Sequence, residues 1–161
     1  MSVEVLLTQR ELDICLQVAM VRVSNAAKAG YKHKYHSDDF PAEAILNYNM
    51  HAAAAEMAAA KWLKIPNFVL SVDTYKNEPD IAPDWEIKHS SVDNGHLIIQ
   101  ENDRDSDRAI LVTGFNPYVI RGWLPVSYCK DSLYLKTTSR NTAYWVPQSE
   151  LVKVLPNEPG A

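Results

Sequence analysis

Three ionisable residues in one short segment have the types and spacing for metal-assisted chemistry. Asp80 follows Pro79 in the run Glu-Pro-Asp, and Glu86 and Lys88 are separated by a single residue. If the chain around Glu86 is extended, alternate side chains point to opposite faces, so Glu86 and Lys88 share one face. A carboxylate beside a lysine, with a second carboxylate upstream, suits a hard divalent cation and a water bound to it.

Two alternatives exist within this segment. Asp84 has the same strand parity as Glu86 and Lys88, so it competes with Asp80 for the role of upstream carboxylate. Pro83 has no backbone N–H for a central ladder, so the strand is expected to be kinked, bulged or split there. The plainer interpretation of the whole segment is an amphipathic strand whose Glu86 and Lys88 are solvated.

A fourth ionisable residue, Glu56, lies in the alanine-rich segment His51–Leu63, which is a strong helix former. Its helical neighbours at three and four residues are all alanines: Ala52, Ala53, Ala59 and Ala60. An ionised carboxylate on such a buried face is costly unless it is paired or bound to a metal. We therefore expect Glu56 to face the sheet and join the site; the alternative is a carboxylate that reaches solvent at the helix edge.

A glutamate-bearing helix followed by Asp80 and then Glu86-x-Lys88 resembles the PD-(D/E)XK nuclease superfamily, whose fold is the restriction-endonuclease-like fold. Further segments are similar to small phage-type members of that superfamily, and they are Ala55–Leu63, Leu111–Gly114, Gly122–Trp123 and Tyr144–Leu151. The resemblance implies an α+β (α/β) fold: a restriction-endonuclease-like core built on a mixed β-sheet, with an N-terminal helical pair.

The resemblance also implies a Mg²⁺- or Mn²⁺-dependent DNA nuclease. Asp80, Glu86 and the backbone carbonyl of Ile87 would bind the metal, and Glu56 would add a ligand directly or through water. Lys88 would orient the attacking water or stabilise charge on phosphorus. Many such nucleases act as dimers, so a homodimer is a further expectation. The alternative function is a non-catalytic phage-type protein that uses the same fold to bind DNA or a host protein complex.

A basic segment with interleaved aromatic residues, Tyr31–His36, is the local candidate for DNA contact. Lys32 and Lys34 could bind phosphates, Tyr35 could stack on bases or the sugar edge, and His33 belongs to the same set of candidate DNA-contact residues. The alternative is a solvated loop. The acidic segment Glu101–Arg108 lacks the glycine and final glutamate of an EF-hand, so we interpret it as a solvated turn rather than a calcium site.

Composition sets broad limits on the class of protein. The 161 residues suit a single domain, with an N-terminal helix and basic loop (1–36) before a nuclease-like core (37–155). A net charge of −4 argues against a protein that coats DNA generally, but a local basic patch can still steer DNA to a nuclease. The chain has no long apolar run and no secretory signal, which predicts the cytoplasm, meaning the host cytoplasm if a phage encodes it.

Periodicity predicts the elements that would position these residues. A capping box at Thr8 starts a helix to Lys28, and a second helix runs from Pro41 to Lys64. Strands are expected at Val3–Leu7, Phe68–Thr74, Trp85–Lys88, His96–Gln100, Ala109–Gly114, Tyr118–Leu124 and Tyr144–Val146. No helical pattern separates Ser90 from Ala109, so the helix after the Glu-x-Lys strand is short, missing or displaced to Pro125–Leu133. Gln100 is either a strand-end polar residue or a side chain that points into the site.

Overall fold

The computed structural model of the chain describes residues 2–30, 41–73 and 77–161. Its elements are strand β1 (Val3–Val5), helices α1 (Gln9–Lys28) and α2 (Ala42–Trp62), strands β2 (Trp85–Ser90), β3 (Leu97–Ile99), β4 (Arg108–Thr113) and β5 (Tyr118–Pro125), helix α3 (Val126–Cys129), and strands β6 (Leu135–Thr137) and β7 (Thr142–Val146). Single 3-10 turns lie before β6, at Ser132–Tyr134, and after β7, at Gln148–Glu150. Helices and strands are both present, which confirms the α+β class.

The two long helices pack against each other as the predicted N-terminal pair. The capping box is present: Thr8 Oγ1 accepts from the Glu11 N–H at 3.1 Å, and Glu11 Oε1 accepts from the Thr8 N–H at 3.0 Å. Helix α2 contacts α1 on one side and β2, β4 and β5 on the other. Its alanines between residues 53 and 60 are almost fully buried. Their small side chains let α2 lie close to both the sheet and α1.

A four-stranded mixed sheet forms the centre of the molecule. Its order is β1-β5-β4-β2, in which β2 and β4 are parallel and the other pairs are antiparallel. Strand β4 carries apolar side chains on both faces, as expected for a strand with protein packed against each face. Ile110 and Val112 pack in the core beneath α2, whereas Ala109 and Leu111 pack in a second core on the opposite face.

A second sheet of three strands, ordered β3-β7-β6, covers that opposite face together with α3. Leu97 and Ile99 of β3 and Val146 of β7 point into the second core and are fully buried. Sequence alone predicted one mixed sheet, so the division into two sheets is a correction. Strand β6 was not predicted, since its residues Leu135–Thr137 are all exposed and carry no burial pattern.

The strand predicted at Phe68–Thr74 is wrong over residues 68 to 73, where the chain forms no β ladder; Thr74 lies outside the described residues. Alternating burial extends only over residues 68 to 70, since Leu70 is buried and Val69 exposed, whereas Val72 is exposed as well. Side chains of α1 replace strand partners here: Arg22 Nε donates to the Ser71 carbonyl at 2.8 Å. The segment is thus anchored to a helix instead of a sheet.

The segment 91–107, fully described, contains β3 but no helix. The next helix is α3, which has only four residues and lies inside the range Pro125–Leu133 that the sequence allowed for a displaced helix. No described helix is long and apolar enough to cross a membrane. Cys15 and Cys129 are both buried as free thiols, as small hydrophobic residues would be.

Candidate active site

The Glu86-x-Lys88 strand forms one wall of an open cleft of about 860 Å³. Trp85 and Ile87 of β2 pack into the core beneath α2, so alternation turns Glu86 and Lys88 the other way, into the cleft. All four residues predicted for catalysis line this cleft. Among the described residues, its charged lining comprises seven carboxylate residues and three cationic residues, and these are Glu56, Asp73, Glu78, Asp80, Glu86, Asp103 and Asp107, with Arg22, Lys88 and Arg104.

Asp80 is positioned by the turn that precedes β2. Backbone hydrogen bonds of 3.0 and 2.9 Å join Ile81 and Trp85 in both directions and close this turn. Asp80 Oδ2 then accepts from the Ile87 N–H at 2.8 Å. This contact brings two of the predicted metal ligands together. The break expected at Pro83 is present, since β2 begins only at Trp85.

Asp84, the alternative upstream carboxylate, has a different partner. It accepts two hydrogen bonds from Arg108, at 2.6 and 2.9 Å. The Arg108 guanidinium also lies 3.8 Å from the centre of the Trp85 ring. Asp84 is not part of the cleft lining. Asp84 fixes the start of β2 against β4. Of the two aspartates, Asp80 is the one that lines the cleft.

Glu56 is buried at the helix interface, as its alanine neighbours predicted, and its carboxylate is paired. Arg22 of α1 donates two hydrogen bonds to it, at 3.0 and 2.9 Å. The side chains of Arg22 and Glu56 are 7% and 9% exposed. Burial lowers the pKa of Arg22, but the Glu56 carboxylate outweighs that effect and raises it. A direct metal ligand role for Glu56 would compete with this ion pair.

Lys88 lies between two carboxylates. Its Nζ is 3.3 Å from Glu86 Oε1 and 3.0 Å from Asp103 Oδ1, and the three side chains are between 14% and 23% exposed. Burial lowers the pKa of Lys88, yet Glu86 and Asp103 together outweigh it and raise the pKa above its ordinary value. Lys88 is therefore a cation at neutral pH, which suits charge stabilisation rather than proton abstraction.

Asp103 comes from the acidic loop after β3, which sequence alone interpreted as a solvated turn. The structure confirms a turn in which Glu101 and Asp105 are exposed, but Asp103 is not solvated, which corrects the interpretation at that residue. Asp103 Oδ2 accepts from the Gln100 N–H at 2.7 Å, and Lys130 Nζ donates to the carbonyls of Glu101 and Asp103 at 2.8 and 2.7 Å and to Asp105 Oδ1 at 2.6 Å. An ammonium group thus organises the loop and presents Asp103 to the cleft.

The crowded carboxylates hold protons unusually tightly. Burial, followed by the charge of Glu56, raises the pKa of Asp80 to about 6. Burial, followed by the charge of Asp80, raises the pKa of Glu86 to about 7. Mutual repulsion of this kind is relieved when a cation binds between the groups. Of the described residues, no group of three or more His, Cys, Asp or Glu side chains is arranged to hold a metal ion. Mg²⁺, however, needs only one or two protein carboxylates besides its waters.

Two other predicted contacts have different outcomes. The DNA-contact residues Lys32, His33, Lys34 and Tyr35 lie outside the described residues. Gln100 follows the end of β3 and does line the cleft, where its Oε1 accepts from Asn141 Nδ2 at 2.8 Å. It is a strand-end polar residue and a cleft residue at once.

Sequence reasoning missed Arg22 and Asp103, the partners of Glu56 and Lys88. Arg22 belongs to the helix predicted from the capping box at Thr8 to Lys28, and no short motif connects it with Glu56. The one available signal was the cost of a buried carboxylate, which requires a cation from elsewhere in the chain. Comparisons with protein-family models, curated proteins and solved structures find no match.

Proposed function

We propose that this protein is a metal-dependent nuclease that hydrolyses phosphodiester bonds of DNA in the cleft beside β2. The observation that supports the proposal most directly is the meeting of Asp80, Glu86 and Lys88 in one acidic cleft. We further infer that the mixed sheet and α2 form a restriction-endonuclease-like core. The order of a glutamate-bearing helix, an aspartate and a Glu-x-Lys strand supports that inference.

The donor set of the cleft fits Mg²⁺ or Mn²⁺. Asp80 and Glu86 would hold the ion, Ile87 would contribute through its backbone carbonyl, and Glu56 would act through water while Arg22 retains its carboxylate. When bound, such an ion polarises a phosphate oxygen and lowers the pKa of a coordinated water. The described lining of the cleft has more carboxylates than cations, so a bound divalent cation would reduce the repulsion of a phosphodiester.

Lys88 would supply the fixed positive charge for the reaction. Its ammonium is held by Glu86 and Asp103, so it is already oriented before substrate arrives. A preorganised cation stabilises the charge that develops on the phosphoryl oxygens without reorganisation during the reaction. Asp103 keeps that ammonium in place.

Cleavage assays test the proposal. Purified protein is incubated with linear, circular, branched and single-stranded DNA in Mg²⁺ or Mn²⁺, beside Glu86→Gln and Lys88→Met. Removing one electrostatic stabiliser should lower the cleavage rate by about 10²-fold or more. The controls Asp93→Asn and Lys64→Met change exposed residues outside the cleft and should cut at the wild-type rate. Full activity of either cleft variant would falsify the assignment.

A second candidate function is a non-catalytic protein that binds DNA or a host complex through the same scaffold. The observation that favours it is charge compensation: Lys88 is paired with Asp103 and Glu86, and Glu56 is paired with Arg22. Calorimetry with Mn²⁺ separates the two candidates. Binding heat that disappears in Glu86→Gln supports the nuclease, whereas absence of binding heat, together with no cleavage, supports the scaffold.

A further inference from the structure

The β6–β7 hairpin places a basic and aromatic surface beside an acidic cleft. From Ser132 to Ser149 the chain contains Lys136 and Arg140 but no aspartate or glutamate, although the net charge of the protein is −4. Both cationic residues are exposed. The part of the cleft lining that the structure describes, in contrast, has more carboxylates than cations. The phosphates of a long substrate should therefore be repelled less by the hairpin than by the cleft.

The wall of the cleft continues into this hairpin. Ile98 of β3 and His96, the residue before β3, both line the cleft. Ile98 is directly opposite Trp145 in the β3–β7 pair. Directly opposite residues of an antiparallel pair share a face, so Trp145 extends the cleft-lining face of β3. The amide of Asn141, near the hairpin turn, donates to Gln100 at the cleft rim at 2.8 Å. A long substrate that leaves the cleft over β3 would contact the hairpin next.

Trp145 is the centre of the surface. Lys136 Nζ lies 4.1 Å from the centre of a Trp145 ring, and the His96 and Trp145 ring centres are 5.9 Å apart. Trp145 is half-buried, and its indole Nε1 is buried without a hydrogen-bond partner among the described residues, so the indole offers no donor to a ligand. A cation beside an aromatic ring matches one nucleotide, because its phosphate is anionic and its base offers a π-face.

We propose that the outer face of the β6–β7 hairpin binds single-stranded nucleic acid and directs it into the cleft. Lys136 and Arg140 bind phosphates, and Trp145 packs against a base. The single-stranded form is specified because the π-faces of bases are accessible only when the bases are unstacked and unpaired. The proposal rests on the proposed function for its direction, since it treats the cleft as the place where the strand is cut.

Binding measured without cleavage tests this surface. Fluorescence anisotropy is recorded in EDTA with labelled oligo(dT), oligo(rU) and a duplex of equal length, for the full chain. Lys136→Glu and Arg140→Glu should each weaken binding of the single strand about tenfold and reduce the salt slope by about one. Lys64→Glu is the matched control, an equal charge change at an exposed site, and should change the affinity less than twofold. Trp145→Leu should weaken binding, whereas Trp145→Phe should largely retain it.

The outcomes separate this proposal from the nuclease assignment. Cleavage by the wild type with unaltered affinity in Lys136→Glu refutes the hairpin surface and leaves the nuclease standing. Hairpin-dependent binding without cleavage of any substrate supports the hairpin surface and refutes the nuclease assignment. No binding of single strands by the wild type, an equal loss in Lys64→Glu, or tighter binding of the duplex overturns the proposal. If Trp145→Leu fails to fold, the exposed Lys136→Glu variant still decides the result. The two oligonucleotides show which sugar the surface accepts.

Discussion

Arg22 and Glu56 form a two-point ion pair in the buried interface of α1 and α2, with N–O distances of 3.0 and 2.9 Å. The carboxylate at the edge of the cleft thus has an internal counterion, supplied by a helix 34 positions earlier in the chain. Glu56 can remain charged in an apolar helix face because Arg22 compensates it. The negative charge of Glu56 also raises the pKa of Asp80. The packing of the two helices is thereby connected with the protonation of a cleft carboxylate.

Breaking this ion pair from one side should destabilise the fold. Arg22→Met leaves an uncompensated buried carboxylate and should lower the free energy of unfolding by about 3–5 kcal/mol, measured by urea denaturation. The double variant Arg22→Met/Glu56→Leu should recover most of that loss. Lys61→Met breaks an exposed pair with Glu11 between the same two helices and should cost about 1 kcal/mol or less. An Arg22→Met variant as stable as Lys61→Met would contradict the prediction.

The metal-free protein should lose stability as pH rises from about 4 to about 7. Asp80 and Glu86 have folded pKa values of about 6 and about 7, above their ordinary values of 3.8 and 4.5. Between those limits the folded state binds more protons than the unfolded state, so the free energy of unfolding falls with rising pH, by several kcal/mol. Urea denaturation at several pH values, compared with Asp80→Asn/Glu86→Gln, isolates this contribution. A wild type and variant with parallel pH profiles would exclude it.

Metal binding should release protons from the same two carboxyls. At about pH 6 they are partly protonated, and a divalent ion binds only their ionised forms. Calorimetry with Mn²⁺ in two buffers of different ionisation enthalpy should show about one proton released near pH 6 and almost none near pH 8. Glu86→Gln should reduce the release. Binding heat that is independent of the buffer at pH 6 would show that other groups hold the ion.

Asp103 should set both the rate and the alkaline limit of cleavage. Asp103→Asn retains an acceptor for the Gln100 N–H but removes one of the two charges that raise the pKa of Lys88. We expect cleavage to fall about tenfold and the alkaline limb of the pH–rate profile to move to lower pH. Asp93→Asn removes a mostly exposed carboxylate, 88% accessible, and should leave the profile unchanged. A uniform loss of rate without a shift would limit Asp103 to a structural role.

Both cysteine thiols should resist modification in the folded protein. Burial raises the pKa of Cys15 to about 11 and of Cys129 to about 12, so almost no thiolate is present at neutral pH. A thiol reagent such as DTNB should react at the rate of local or global unfolding, and rapidly with both thiols in urea. Fast labelling of native protein would show that one thiol is more accessible than its burial indicates.

Local patterns were sufficient for the helices and for the strand face of the site. The capping box located the start of α1, and the alanine run located α2 and buried Glu56. Alternation along β2 placed Glu86 and Lys88 together. Each of these features depends on residues within one or two turns or along one strand, where propensity and periodicity act directly.

Long-range pairing was not accessible in the same way. The Phe68–Leu70 segment has the alternation of a strand, but whether an extended segment joins a ladder depends on which neighbours reach it. Directly after this segment, Arg22 donates to the Ser71 carbonyl, which a neighbouring strand would otherwise have used. Asp103 likewise gave no local signal, because an acidic loop looks the same whether it is solvated or held by a distant lysine.

Lys130 gives that loop its own counterion, attached covalently to the chain. In an ion-binding loop, converging carbonyl and carboxylate oxygens take their shape from a metal in solution, and the loop loses order when the metal is withdrawn. The oxygens of Glu101, Asp103 and Asp105 converge instead on an ammonium group that cannot dissociate. The loop therefore takes its shape, and with it the placement of Asp103, without a bound metal, so a chelator should not disorder it. A loss of function in a chelator would therefore not arise from disorder of this loop.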